Sequence, residues 1–270
     1  MLASVERKKI VSVSCCNQVL PIVYSDCGEG FPLLYLHGWG QNLGAFGPLI
    51  DALPLSLRHI AVDFPGFGDS PKPAENWGVP DYAEFVHQFI KKLDLEPCII
   101  IGHSFGGRVG FRLAHKRPEC VLGLFLIGAA GIRRKVPLRR RIRIKTIRGI
   151  ARAAARCIPN PIGAKIKGSL YNRIASRDYK EAGAMRGILV KVIHDDVRDI
   201  LSSIQQPVTL LYGSDDSETP PETGRQMHDR LPNSDYIELP GFDHYTILTR
   251  GRHQIAHQLK NFLQKWNATS

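Results

Sequence analysis

The sequence predicts an α/β fold, a mostly parallel doubly wound sheet carrying an inserted helical cap. Three observations predict it. Short apolar runs bounded by Gly and Pro recur at residues 32–36, 59–62, 98–101, 121–127 and 208–212. Such runs, apolar on both faces, suit strands buried inside a parallel sheet. Helical patterns lie between several of them, and strand–helix alternation is the mark of an α/β domain. The alternation then stops for some seventy residues before position 207, where nothing reads as a sheet strand, and afterwards resumes. An interruption of that kind marks an insertion. The division predicted is a core at 1–131, an inserted basic helical cap at 132–204, and the rest of the core at 205–270. A chain of 270 residues is long enough for one such domain with a substantial core.

Taken in order, residues 10–14 and 19–24 alternate polar and apolar, and the Asn17-Gln18 break between them predicts a hairpin. Residues 82–93 place Phe85, Val86, Phe89, Ile90 and Leu93 on one helical face. Residues 105–115 form a helix that follows the 98–101 strand after a very tight turn. Residues 236–239 read as a last strand and 246–266 as one long closing helix.

Charge narrows the function classes. The chain carries 36 Lys+Arg against 25 Asp+Glu, a net +11. The excess is local: no acidic residue stands between Glu119 and Asp178, and fifteen basic ones do. Removing them leaves 21 basic against 25 acidic, so a mildly acidic body carries a strongly basic insert. Residues 138–158 read as an amphipathic helix. Arg141, Lys145, Arg148, Arg152 and Arg156 recur along one stripe, and Ile144, Ile147, Ala151, Ala154 and Ile158 form the opposite one. Five like charges within a few turns repel, and an anionic partner relieves that repulsion. Stacking aromatics do not accompany the run, which argues against nucleic acid and weakens a membrane-surface role. No apolar run reaches the roughly 18–20 residues of a membrane span. The six cysteines lack metal-ligand spacing. A soluble protein of a reducing, cytoplasmic compartment is expected.

Gly102-His103-Ser104-Phe105-Gly106 holds the strongest chemical signal. A strand runs into Ser104 and a helix leaves from it, so the hydroxyl stands exposed at a helix N-terminus. A serine needs a base, and the base an orienting acid. Asp215 and Asp216 follow the 208–212 strand, and His244 lies in the loop after the 236–239 strand. An oxyanion needs two donors. The amides of Phe105, after the serine, and of Trp39, in His37-Gly38-Trp39 after the 32–36 strand, are the candidates.

These motifs, with His37-Gly38-Trp39-Gly40 and the turn Asp63-Phe64-Pro65-Gly66-Phe67-Gly68-Asp69-Ser70, resemble the α/β-hydrolase superfamily along essentially the whole chain. The resemblance implies that the acid ends a Gly-x-x-Asp, here Gly213 to Asp216, which favours Asp216 over Asp215. It also implies acyl transfer to water, since relatives that open epoxides or dehalogenate carry Asp where Ser104 stands. No metal or organic cofactor is expected. Within the superfamily the chain is similar to cap-bearing carboxylesterases, including those acting on methyl esters linked to acyl carrier protein. A small-molecule ester is the expected substrate, and the cationic stripe of the basic cap either faces solvent or receives an acidic carrier or anionic substrate. Thioesterase, C–C bond hydrolase and ligand receptor on a hydrolase scaffold are the other activities this resemblance leaves open.

Overall fold

The computed structural model describes residues 8–133 and 181–267, together with 146 and 179. Eight strands form one sheet: β1 (Lys8–Cys15), β2 (Gln18–Cys27), β3 (Phe31–Leu36), β4 (Leu57–Val62), β5 (Cys98–His103), β6 (Val121–Ile127), β7 (Val208–Gly213) and β8 (Ser234–Leu239). Their spatial order is β1-β2-β4-β3-β5-β6-β7-β8. β1 pairs antiparallel with β2 and β2 with β4, and the remaining neighbours are parallel. The parallel majority is as the sequence predicts.

The apolar runs become the centre of the sheet. Every residue of β5 is buried, and so are the last four of β3 and of β4. Side chains alternate between the faces with period two. Leu34, Leu36, Ile100, Leu124 and Leu126 enter one core, and Leu33, Tyr35, Ile99, Ile101, Phe125 and Ile127 enter the other. Helices α2 (Val79–Lys92) and α3 (Phe105–Lys116) cover the first face, α2 through Tyr82, Phe85, Val86 and Phe89. Helix α1 (Gly47–Ile50) and the C-terminal helices cover the second.

Three elements differ from expectation at their ends. The hairpin turns at Cys16-Asn17, one residue early, because both adopt positive φ (51° and 59°) as a two-residue type I′ turn requires. Helix α2 starts at Val79, before position 82. Gly78 N–H donates to Asp81 Oδ2 at 2.7 Å, capping a first turn that contains Pro80. The closing helix is two helices, Thr246–Thr249 and Arg252–Asn267, parted at Gly251. A Cβ there would lie 2.5 Å from Ile247 O. We number them α6 and α7, after α4 (Arg186–His194) and α5 (Pro221–His228).

The described flanks of the predicted cap pack into the body. Ile188, Leu189 and Val192 of α4 are buried, as are Val197, Ile200 and Leu201 beyond it. Where the chain leaves and rejoins the body, the two limbs are fastened together. Val197 N–H donates to Gly131 O (3.1 Å) and Arg133 N–H to Asp196 Oδ2 (3.1 Å). Arg112 on α3 secures the returning limb through Asp195 and Asp196 O. No helix among the described residues is long and apolar enough to cross a membrane.

The turn after β4 is a brace for the loop after β3. Asp63 is buried, and its carboxylate accepts from Leu43 N (2.7 Å) and Asp69 N (2.9 Å). His37, with no exposure, donates Nδ1–H to Gly38 O (2.7 Å) and accepts from Phe64 N–H at Nε2 (3.1 Å). Both ring nitrogens are thus used by a neutral imidazole, and burial lowers its pKa from 6.5 to about 4, opposed by the bond to Gly38. The unfolded chain therefore binds a proton before the folded one does. The stabilisation is complete above pH 6.5 and is lost as pH falls towards 4, amounting to about 3 kcal/mol. A urea titration of wild type and His37→Asn at pH 7, 5.5 and 4.5 is expected to show the gap in midpoint narrowing with acidity; a constant gap would contradict it.

Candidate active site

Ser104 sits between β5 and α3 with φ 49° and ψ −109°. A side chain in that region costs on the order of 1–3 kcal/mol, and the surroundings must impose it. They do so from both sides. Ser104 N–H donates to Ile127 O (3.1 Å), while Ser104 O accepts from Ala130 N (3.0 Å) and Arg108 N (3.3 Å). Gly106 is required because α3 starts against the end of β3: a Cβ there would lie 1.9 Å from Leu36 O. The reversal of strand order falls between β3 and β5, so the loop after β3 and the serine turn share the crevice where open α/β sheets hold ligands.

Asp216, in the loop after β7, and His244, in the loop after β8, are both buried. His244 Nδ1 lies 2.7 Å from Asp216 Oδ2. The carboxylate is locked by Glu218 N (2.9 Å) and Thr219 N (2.8 Å) at Oδ1 and by Thr219 Oγ1 (2.9 Å) at Oδ2. An acceptor at Nδ1 fixes the proton there and leaves Nε2 as the basic nitrogen. Asp215, the alternative acid, is exposed and accepts from Ser214 Oγ (2.8 Å).

Ser104 and His244 line one cavity of about 390 Å³. Trp39 and Phe105 line it too, and neither of their amides has an acceptor among the described residues. Trp39 is seated edge-on against Phe67 (4.9 Å between ring centres) and Phe105 (5.8 Å). From the far side, Leu189 and Val192 of α4 close the wall.

Three residues of this arrangement escaped the sequence reading. His103 is buried beneath His244, ring centres 4.7 Å apart. Its Nε2 is 3.0 Å from His244 O and its Nδ1 2.9 Å from Gln41 Oε1. Gln41 Oε1 in turn accepts from Gly38 N–H (2.9 Å). His103 therefore ties the serine turn to the histidine loop and to the loop after β3. Burial, then the charge of His244, holds its pKa well below the usual histidine value. Thr219 is the third, its hydroxyl also 2.8 Å from Gly128 O at the end of β6. The only sequence signal for any of them is adjacency: Gln41 follows His37-Gly38-Trp39-Gly40, and His103 precedes the serine. The basic stripe Arg141, Lys145, Arg148, Arg152 and Arg156 lies outside the described residues.

The profile of the alpha/beta hydrolase fold family matches residues 32–156, and that of the TAP-like protein family matches residues 192–268. With the sheet and the serine turn above, the chain belongs to the α/β-hydrolase superfamily. It is 28% identical over 236 residues to the pimeloyl-[acyl-carrier protein] methyl ester esterase of Aeromonas hydrophila, covering 82% of this chain and 91% of that one. Among solved structures it is similar to a thermophilic esterase from Thermogutta terrifontis, with TM-score 0.72, 20% identity, and coverage of 96% and 99% of the two chains. It is also similar to a meta-cleavage product hydrolase from Pseudomonas fluorescens, with TM-score 0.70, 20% identity, and coverage of 94% and 97%. At these identities the structural likenesses speak for the fold.

Proposed function

We propose that this protein is a serine hydrolase that cleaves a carboxylic ester through an acyl-enzyme. The observation that carries the reading is the buried His244–Asp216 pair, 2.7 Å apart, on the same cavity as a serine held at positive φ. In this reading His244 Nε2 takes the hydroxyl proton as Ser104 Oγ attacks the ester carbonyl. The carbonyl oxygen becomes an oxyanion between the amides of Trp39 and Phe105. His244 then returns the proton to the leaving alcohol, and water repeats the sequence to release the acid. Asp216 keeps the proton of the imidazole on Nδ1 and stabilises the imidazolium.

An acid group on the substrate or its carrier suits the fifteen basic residues of the insert. The Aeromonas relative, a pimeloyl-[acyl-carrier protein] methyl ester esterase, supports a substrate of that kind. The test of the chemistry is covalent. A fluorophosphonate probe is expected to form one adduct, mapped by peptide mass spectrometry to Ser104, and to abolish turnover of p-nitrophenyl butyrate in proportion to labelling. An adduct elsewhere, or full turnover in labelled protein, would overturn the reading.

A further inference from the structure

Arg108 lies on α3 one turn beyond Ser104, its amide bonded to Ser104 O. Its side chain is 8% exposed, yet it lines the same cavity as Ser104 and His244. Its polar partner is the carbonyl of Val192, at the end of α4, which accepts from Nη1. No carboxylate of a described residue pairs with it: Asp195 is taken by Arg112 and Asp196 by Arg198. The Nε–H is sealed from solvent without an acceptor. A largely buried guanidinium with one N–H sealed from water and no counter-anion among the described residues is a costly arrangement, and the cost is not needed to hold α4, which Leu189 and Val192 already bury. Burial presses its pKa down, while Asp195 and Asp196 oppose that from a distance. The other formally charged side chains bordering the cavity, Arg133 and Glu218, are exposed and screened by water.

We propose that Arg108 is a specificity-determining residue that receives a carboxylate carried by the ester substrate itself. The inference rests on the hydrolase reading and narrows it to half-esters of dicarboxylic acids and their like. Residues four apart on a helix are neighbours, about 6 Å apart along the axis. The carboxylate is therefore a few carbons from the carbonyl that Ser104 attacks. The apolar wall from Leu189, Val192 and Ile132 suits the methylenes between the two groups. A guanidinium on the cavity wall acts on a substrate carboxylate at short range, where the attraction is strongest.

The test compares monomethyl esters of dicarboxylic acids of increasing length with neutral methyl esters of equal length, and adds esters whose carboxylate sits on the alcohol side. Wild type, Arg108→Met and Arg108→Lys are assayed, with circular dichroism to confirm folding. Wild type is expected to favour one half-ester length over its neutral counterpart by about tenfold or more in kcat/KM. That ratio is expected to collapse in Arg108→Met, chiefly through KM, and to be partly kept in Arg108→Lys. The side on which the carboxylate is preferred identifies whether the acyl or the alcohol half meets Arg108. Turnover of neutral esters without any charge preference, or a preference unchanged in Arg108→Met, would overturn the inference and leave the hydrolase reading standing. Loss of charged and neutral turnover alike, without rescue by lysine, would reduce Arg108 to a clamp on α4. Absence of all ester turnover would count against the hydrolase reading instead. Calorimetric titration of glutarate and adipate into folded wild type and Arg108→Met then decides the carboxylate site directly, with weaker binding in the variant expected and equal or no binding contrary to the inference.

Discussion

Replacing Ser104 with alanine is expected to lower turnover of short p-nitrophenyl esters by about 10⁴-fold or more, because in the proposed mechanism His244 and Asp216 act only through that hydroxyl. The variant is expected to fold normally. Ser104 Oγ caps no amide of α3, and its backbone conformation is imposed by Ile127, Ala130 and Arg108 rather than by its own side chain. Alanine has a Cβ as serine does, so the strain at φ 49° is carried over unchanged. Thermal unfolding within about a degree or two of wild type, alongside lost turnover, checks both halves. Turnover within tenfold of wild type would exclude Ser104 as nucleophile.

Gly106→Ala is expected to have the largest structural effect of any single methyl added to this chain's serine turn. The new carbon would lie 1.9 Å from Leu36 O, 2.5 Å from Leu36 C and 2.9 Å from His37 O. All three are backbone atoms, so no rotamer change relieves the overlap, and α3 must move off the end of β3. Overpacking with backbone displacement costs about 3 kcal/mol or more. Trp39 follows directly on Leu36-His37-Gly38, so the same movement pulls one amide of the cavity away from the other. Gly110→Ala is the comparison. A Cβ there meets Ile100 Cγ2 at 3.3 Å and Leu124 Cδ2 at 3.4 Å, side-chain atoms that can yield. Urea midpoints are expected to place Gly106→Ala far below Gly110→Ala; similar midpoints would contradict the packing argument.

What could be read from the sequence follows from how locally each feature is encoded. The central strands are legible because burial on both faces leaves near-continuous apolar runs. The serine turn is legible because its sterics demand glycine at fixed offsets around position 104. Asp216 is distinguished from Asp215 in the fold by Thr219 and Glu218 amides that draw its carboxylate inward. In the sequence the two stand side by side, and only the family pattern separated them. His103, Gln41 and Thr219 were illegible for a different reason. Each works through contacts with residues 25 to 141 positions away, and an ordinary His, Gln or Thr in a loop carries no mark of such a partner. Arg108 belongs with them. Its type suggests a surface residue on a helix, and only the packing of α4 over it turns it into a buried charge. The break of the last helix at Gly251 was missed because an isolated glycine inside a helical pattern is usually tolerated.

The fastening of Arg133 to Asp196 and of Gly131 to Val197 has a consequence for how this enzyme type can be altered. Residues 131–133 and 196–197 meet at one point on the body, so whatever chain lies between them begins and ends at the same place. A longer or shorter segment spliced between those anchors changes loop-closure entropy only slowly with length. It leaves the ladders from β3 to β8 untouched. Exchanging what lies between the anchors is thus expected to alter selectivity, while Ser104, His244 and Asp216 stay on loops that the exchange does not cut.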